Sequence, residues 1–458
     1  MPRGAVEASN AAARRIGAPV ATALVVANMV GTGIFVTSGY LAQSLGNVWL
    51  VLGVWLGGGA LAMCGATAYA ELGAMMPRAG GEYIYLSRAF HPAVGFLSGW
   101  VSLWVGFSAP IAAAAMAAAE YASVVMPGLA VRPAAVAIIV LFTSVHMASV
   151  RWGARVQMLL TVLKVALVVL FVAFAFTWGR GSWSAFGEAP RAVAPGTLAV
   201  AFVWVAFAYS GWNAAAYLAG ELREPGRTLP RALLGGALLV TLLYVALNVA
   251  FFYAMSPEEL GARPEVVAEV AAAALFGESV GQGLAGCIAL ALVSSVSAMC
   301  MAGPRVYAAM AEDGLFFRSA RARGPSGAPA LSSVLQGALA VGLVLSATFE
   351  GLLTYVGFTL SAFAALTVSG ALVLRLREPE LERPYRAFAW PLSAVCFVLV
   401  SLWSVVWSIA EKPLSAVFGA LTLLGGLAAY ALWSRSTPRA TALGRKPPSG
   451  VSPRRSPG

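Results

Sequence analysis

Twelve apolar stretches, each bounded by charged residues or by Gly and Pro, follow one another at about 17–42, 48–72, 92–120, 132–149, 156–178, 196–219, 230–255, 280–310, 329–348, 350–374, 389–410 and 414–433. A helix needs roughly 20 apolar residues to cross the hydrocarbon of a bilayer, with about 17 to 25 as the working range. The pattern therefore predicts an all-α integral membrane protein with twelve transmembrane helices. An even number of crossings places both termini on the same side.

Hydrophobic residues make up 60% of the 458-residue chain and charged residues 11%, with a mean hydropathy of +0.80. Soluble domains run near 45–50% apolar and about 25% charged. A net charge of +11 would suggest nucleic acid in a soluble protein. In a multi-spanning chain it reads instead as the excess of Lys and Arg that faces the cytoplasm, and no nucleic-acid partner is expected. With the N-terminus inside, 24 of the 30 cations, among them Arg3, Arg14 and Arg15, fall on the inner side. Five fall on the outer side: Arg132, Arg180, Arg191, Arg263 and Lys412. One missed crossing would scramble that asymmetry, which points to a cell-membrane protein with both termini cytoplasmic. Cys64, Cys287, Cys300 and Cys396 all lie in apolar stretches, so no disulfide, zinc site, other metal or cofactor is expected. The apolar run after the basic N-terminus is too long for the core of a cleavable signal. Residues beyond about 434 read as a disordered cytoplasmic tail rich in Pro, Ser and Arg.

Two crossings are interrupted at corresponding places. The first carries Gly31-Thr32-Gly33 in mid-span, and the sixth carries Ser210-Gly211 followed by Trp212-Asn213. Each opens a block of five stretches. This predicts a 5+5 inverted repeat, with repeat 1 at 17–178, repeat 2 at 196–374 and two further helices within 389–433, between tails at 1–16 and 434–458. The interruptions suit an amino-acid backbone, whose carboxylate and ammonium would be costly to meet with charged side chains in mid-bilayer. Free amides near Thr32, Gly33 and Ile34 can cradle a carboxylate. Free carbonyls near Met29, Phe207 and Ser210 can accept from an ammonium. Glycine is expected here because it admits unusual backbone angles and close approach of a ligand.

Gly31-Thr32-Gly33-Ile34-Phe35 resembles the first-helix signature of the amino acid–polyamine–organocation (APC) superfamily. Phe207-Ala208-Tyr209-Ser210-Gly211-Trp212-Asn213 is similar to the sixth-helix motif of its L-type amino acid transporters. Three loop patterns agree: Glu221-Leu222 with Pro225 and Leu229-Pro230-Arg231-Ala232, Arg305 through Asp313-Gly314-Leu315, and Arg383-Pro384-Tyr385-Arg386. The resemblance runs from about residue 17 to 433. It implies the LeuT-like fold with helices 1 and 6 discontinuous, moving amino acids by alternating access. It assigns the substrate carboxylate to the amides of Thr32 and Gly33, and the ammonium to carbonyls of Met29, Phe207 and Ser210. Gly31, Ile34, Ala208, Tyr209 and Gly211 complete the substrate-binding set. Phe207 would also close over bound substrate, and Asn213 would support the pocket from beneath.

Lys164 lies well inside the fifth stretch, too deep for its ammonium to reach an interface comfortably. It needs acceptors, which carbonyls of the first helix and a hydroxyl among Ser294, Ser295 and Ser297 on the eighth can supply. In L-type and proton-coupled relatives a fifth-helix lysine takes the place of a sodium ion, and Lys164 matches that position with Ser295 as the hydroxyl. The resemblance thus implies sodium-independent transport, as proton symport or as exchange, with protons a candidate co-substrate.

Other polar residues have plainer readings. Glu71 and Glu82 suggest a structural network with Arg78 and Arg88 on an inner loop, and Glu120 sits at the outer end of the third span. His91 and His146 lie near opposite ends of different spans, which argues against a shared metal or relay. No constellation for an intramembrane enzyme is present. The short connection after the sixth span disfavours a major-facilitator fold, and two matched interruptions disfavour a channel. Cationic amino acids or polyamines as cargo, or a non-transporting sensor of the same fold, are the alternatives. Neutral amino acids are favoured because no carboxylate or guanidinium stands in mid-span. Animal L-type chains pair with a heavy chain through a cysteine in the third-to-fourth outer loop. None lies between Tyr121 and Arg132, so no such disulfide-linked partner is expected.

Overall fold

The computed structural model describes residues 16–77, 80–148, 153–190, 192–312, 314–317, 319 and 330–436. Arg3, Arg14, Arg15, Arg78, Arg191, Asp313 and the tail beyond 436, all singled out above, lie outside these residues.

The described secondary structure is helical apart from one isolated bridge between Ile16 and Leu222. In chain order the helices are α1 (Ala18–Met29), α2 (Thr32–Leu45), α3 (Val48–Met75) and α4 (Glu82–Ala89). Next come α5 (Pro92–Val125, with a π-helical stretch at Ser102–Ser108), α6 (Val131–Ala148), α7 (Gly153–Thr177) and α8 (Pro195–Tyr209). After a 3₁₀ segment, Ala214–Glu221, the chain continues as α9 (Pro225–Ala254), a short helical turn at Pro257–Gly261, α10 (Val267–Phe276), α11 (Glu278–Glu312) and α12 (Ala330–Ser346). It ends in α13 (Phe349–Arg377), α14 (Leu392–Glu411) and α15 (Pro413–Ser436).

Among the described residues, eight helices are long and apolar enough to cross a membrane, or nine if α1 and α2, bent by 46° at their junction, form one broken span. Three shorter apolar helices, Val131–Met147, Val162–Thr177 and Ala330–Ser346, fall on the fourth, fifth and ninth predicted stretches. Local chemistry marks the ends. Pro stands in the first turn of α1, α5, α8 and α9, where its missing N–H costs nothing. The Asn47 side chain accepts from the amides of Trp49 and Leu50 at the start of α3, and Thr348 from that of Gly351 at the start of α13.

Lipid tails are as apolar as leucine, so these helices associate through close fit rather than through exclusion of water. Their contacts accordingly use small residues. The buried face of α5 includes Ala112, Ala113, Ala114, Ala115, Ala117, Ala118 and Ala119. A methyl group on Gly59 of α3 would lie 2.3 Å from Thr241 Oγ1 of α9. The main packed pairs are α3 with α9, α5 with α11 and α1 with α9, while α15 stands at the periphery with only 11% of its apolar window buried.

Two helices go unread in the pattern. α4 and α10 are too short to cross and carry Glu82 and Glu269, yet α10 buries Val267, Ala268, Ala271, Ala272 and Leu275. Of the network expected among Glu71, Glu82, Arg78 and Arg88, Arg78 lies outside the described residues and Arg88 joins neither glutamate. Glu71, buried near the end of α3, accepts from Arg375 through Nε (2.8 Å) and Nη2 (2.5 Å) and from the amide of Ala387 (2.7 Å). Arg383 stands 3.4 Å from the same carboxylate, and the Arg375 guanidinium lies 3.8 Å from the Trp390 ring centre. Arg88 pairs with Glu378 instead (2.6 Å). A charge buried this deeply needs such partners, and they come from the far end of α13 and the segment that follows it, about 300 residues away in sequence.

Candidate substrate-binding site

α1 stops at Met29, and Val30 (φ −72°, ψ 91°) and Gly31 (φ −141°, ψ −149°) carry the chain out of helix before α2 starts at Thr32. Gly31 offers no side-chain cap. Among the described residues, the amides of Thr32, Gly33 and Ile34 find no protein acceptor, as expected of a first helical turn without a cap. α8 stops at Tyr209; Ser210 takes an extended ψ of 146°, its amide bonds to the Phe207 carbonyl (3.0 Å), and Gly211 follows with φ +95°. That left-handed angle disfavours any other residue at Gly211.

The two interruptions touch. A Cβ on Gly33 would stand 2.3 Å from Ala208 Cα, and one on Gly211 would stand 2.9 Å from the Asn28 carbonyl oxygen. The reason for glycine thus differs from that expected at the first break. Gly31 and Gly33 do not use a left-handed backbone; Gly33 is required because another backbone lies against it. Tyr244 of α9 clasps both breaks, its hydroxyl donating to the carbonyl of Met29 (2.6 Å) and standing 3.2 Å from that of Ala208. Its ring packs on Trp55 and Tyr209, each with centroids at 5.2 Å. Tyr244 went unread in the sequence, its only signal being a hydroxyl within an aliphatic run.

The remaining candidates divide. Met29, Ile34 and Phe207 are buried beside the breaks. Tyr209 turns away, giving its hydroxyl to the Trp55 carbonyl (2.9 Å). Asn213, beyond the second break, donates through Nδ2 to Glu82 Oε1 of α4 (3.0 Å). Lys164, 2% exposed, donates to Ser295 Oγ (3.1 Å). Ser294 instead bonds the carbonyl of Ala291 in its own helix (2.7 Å). The structure brings Lys164 and Ser295 together, but no hydrogen bond from Lys164 to α1 occurs among the described residues. The histidines stay apart: His91 caps α5 by accepting from the Ala93 amide (3.2 Å), and His146 Nε2 meets Ser297 Oγ (2.9 Å). No group of three metal-ligating side chains occurs among the described residues.

A cavity of about 600 Å³ opens at the end of the bundle that carries Arg132, lined by Tyr40, Glu120, Glu265, Phe349 and Glu350 among others. Tyr40 donates to Glu265 Oε1 (3.2 Å), and Lys412 pairs with Glu350 (2.7 Å). Of these carboxylates only Glu120 had stood out in the sequence.

The Amino acid permease family matches residues 16–427. The chain belongs to that family. This permease falls in the APC superfamily and resembles its L-type branch. It is similar to the Asc-type amino acid transporter 1 of Mus musculus, at 31% identity over 93% of this chain and 82% of the relative. The Large neutral amino acids transporter small subunit 2 of Homo sapiens is 31% identical over 92% of this chain and 80% of its own length. The b(0,+)-type amino acid transporter 1 of Mus musculus is 29% identical over 92% and 88%.

Proposed function

We propose that this permease carries neutral amino acids across the cell membrane by alternating access, without sodium, through twelve crossings arranged as two inverted repeats of five plus two. The observation that carries the reading is the contact between the two interruptions, with three free amides on one and carbonyl ends on both. The substrate carboxylate would sit on the amides of Thr32, Gly33 and Ile34, where the helix dipole favours an anion. The ammonium would face the carbonyls of Met29, Phe207 and Ser210. Met29 and Phe207 already accept one bond each, and a carbonyl oxygen has a second lone pair free. The Lys164 ammonium on Ser295 would hold α7 to α11 where a sodium ion would otherwise bridge helices. Proton symport and exchange both fit that role. Relatives named for large neutral amino acids favour neutral cargo. A cationic cargo is the second reading, favoured by the three carboxylates around the outer cavity. The loop between α5 and α6 has no cysteine, so no disulfide-linked partner attaches there.

A thermal-shift screen of the purified protein against the twenty amino acids tests the substrate, since a ligand at about 100 times its Kd stabilises by about 2.7 kcal/mol. Stabilisation by neutral amino acids is the expected outcome, and stabilisation by Arg and Lys alone would move the reading to cationic cargo. Uptake into proteoliposomes should proceed without sodium and be lost or strongly altered in Lys164→Ala. Uptake that demands sodium would remove the role given to the lysine.

A further inference from the structure

Glu82 is a carboxylate that substrate handling does not use and that pairs with no cation among the described residues. It starts α4, outside the membrane-spanning helices. Its Oε1 accepts two bonds, from the Tyr69 hydroxyl of α3 (2.5 Å) and from Asn213 Nδ2 beyond the second break (3.0 Å). Among the described residues its Oε2 has a single long partner, Ser98 Oγ of α5, at 3.5 Å. Among the described residues the other titratable groups facing it are phenols: Tyr85 on its own helix and Tyr217 on the 3₁₀ segment. From α13, Thr367 stands beside Tyr69 and donates its hydroxyl to the Phe363 carbonyl of its own helix (2.9 Å). Neighbouring cations are engaged elsewhere, Arg88 on Glu378, Arg375 on Glu71 and Arg377 on the carbonyl of Ala89.

We propose that Glu82 is a proton-operated latch, closing the 3₁₀ segment after the second break against α3 and α5 and tying its release to pH on the cation-rich side. The proposal rests on the transporter reading for its purpose but not for its test. The asymmetry of the carboxyl group supplies the place for the proton. On Oε2 it can be donated to Ser98 Oγ, while Oε1 remains the acceptor for Tyr69 and Asn213, so the protonated latch keeps all three contacts. Burial pushes the Glu82 carboxyl above the usual carboxylate range, and the bonds from Tyr69, Asn213 and Ser98 pull it only part of the way back. When the segment swings off, this half-buried group becomes fully hydrated and its affinity for the proton falls to the ordinary value. The closed state therefore binds the proton more tightly. Its advantage is full below the ordinary carboxylate value and is lost as pH rises through the raised one.

Hydrogen exchange of residues 214–221 in the full-length protein in nanodiscs, corrected for the intrinsic effect of pH, reads the opening directly. Exchange should rise with pH by up to about tenfold for each unit separating the closed-state from the open-state value. Glu82→Gln, which imitates the protonated group, should flatten that dependence, and Glu82→Asp should retain it. A wild-type slope in Glu82→Gln, or no slope in the wild type, overturns the latch. Should Glu82→Gln fail to fold, Tyr69→Phe decides: losing a donor to the charged form must move the midpoint to higher pH, and an unmoved midpoint refutes the proposal. Exchange needs no cargo, so a failed substrate screen would strike the transport reading and leave this result standing.

Discussion

Replacing Gly33 by alanine tests the contact on which the substrate site depends. The new Cβ would lie 2.3 Å from Ala208 Cα, 2.7 Å from Ala208 Cβ and 3.2 Å from the Ala208 amide nitrogen. Carbon atoms rest at about 3.5–4.0 Å from one another, so the two interruptions must part by more than an ångström in order of magnitude. No flexible side chain can absorb this, because the obstacle is backbone. Overpacking of this kind costs about 1–3 kcal/mol, and the amides of α2 then move away from the carbonyls of α8 that share the ligand with them. If that cost falls on the bound state, affinity should drop by roughly 5- to 150-fold. Gly31→Ala is the control within the same motif. Its Cβ meets nothing closer than the Met29 carbonyl oxygen at 3.9 Å, and its φ is negative. Equilibrium binding of the best amino acid from the screen, measured on both variants in nanodiscs, should show a severe loss for Gly33→Ala and a small one for Gly31→Ala. Wild-type affinity in Gly33→Ala, or equal losses in the two, would mean that the breaks do not hold the ligand together.

Tyr244→Phe keeps the ring packed on Trp55 and Tyr209 but removes the hydroxyl that joins Met29 to Ala208. Leaving buried acceptors without their donor costs about 1–3 kcal/mol, which should appear as a lower melting temperature and a weaker ligand-induced shift; an unchanged shift would remove Tyr244 from the site. Glu71→Gln leaves Arg375 and Arg383 facing a neutral amide at the end of α3. Breaking a buried pair in this way costs roughly 3–5 kcal/mol, so the melting temperature should fall clearly, and an unaltered one would show the cluster to be dispensable.

The layout of this permease is written in local pattern, because a bilayer crossing is a run of neighbouring residues. Interruptions are local too, and both were readable from Gly31-Thr32-Gly33 and Ser210-Gly211. Lys164 advertised a need for acceptors by its depth alone, and Ser295 does meet it. What stayed hidden depends on residues far apart in the chain. Glu71 finds Arg375 and Glu82 finds Asn213 across gaps of 304 and 131 residues, and nothing near either glutamate specifies the partner. α10 escaped because ten largely apolar residues are too few for a crossing, and burial by neighbouring helices cannot be seen in periodicity. The constraint on Gly33 is hidden in the same way: its own angles are ordinary, and the crowding comes from Ala208 on another helix.

The bridge at Ile16 has a mechanical consequence. Its amide donates to the Glu221 carbonyl (3.1 Å), and its carbonyl accepts from the Arg223 amide (2.9 Å). The strand leading into the first half-helix is thereby clipped to the strand leaving the second. The two arms below the breaks are geared together: neither can tilt without dragging its twin or tearing two main-chain bonds. A load applied at the chain's beginning would reach Gly211 as directly as it reaches Gly31.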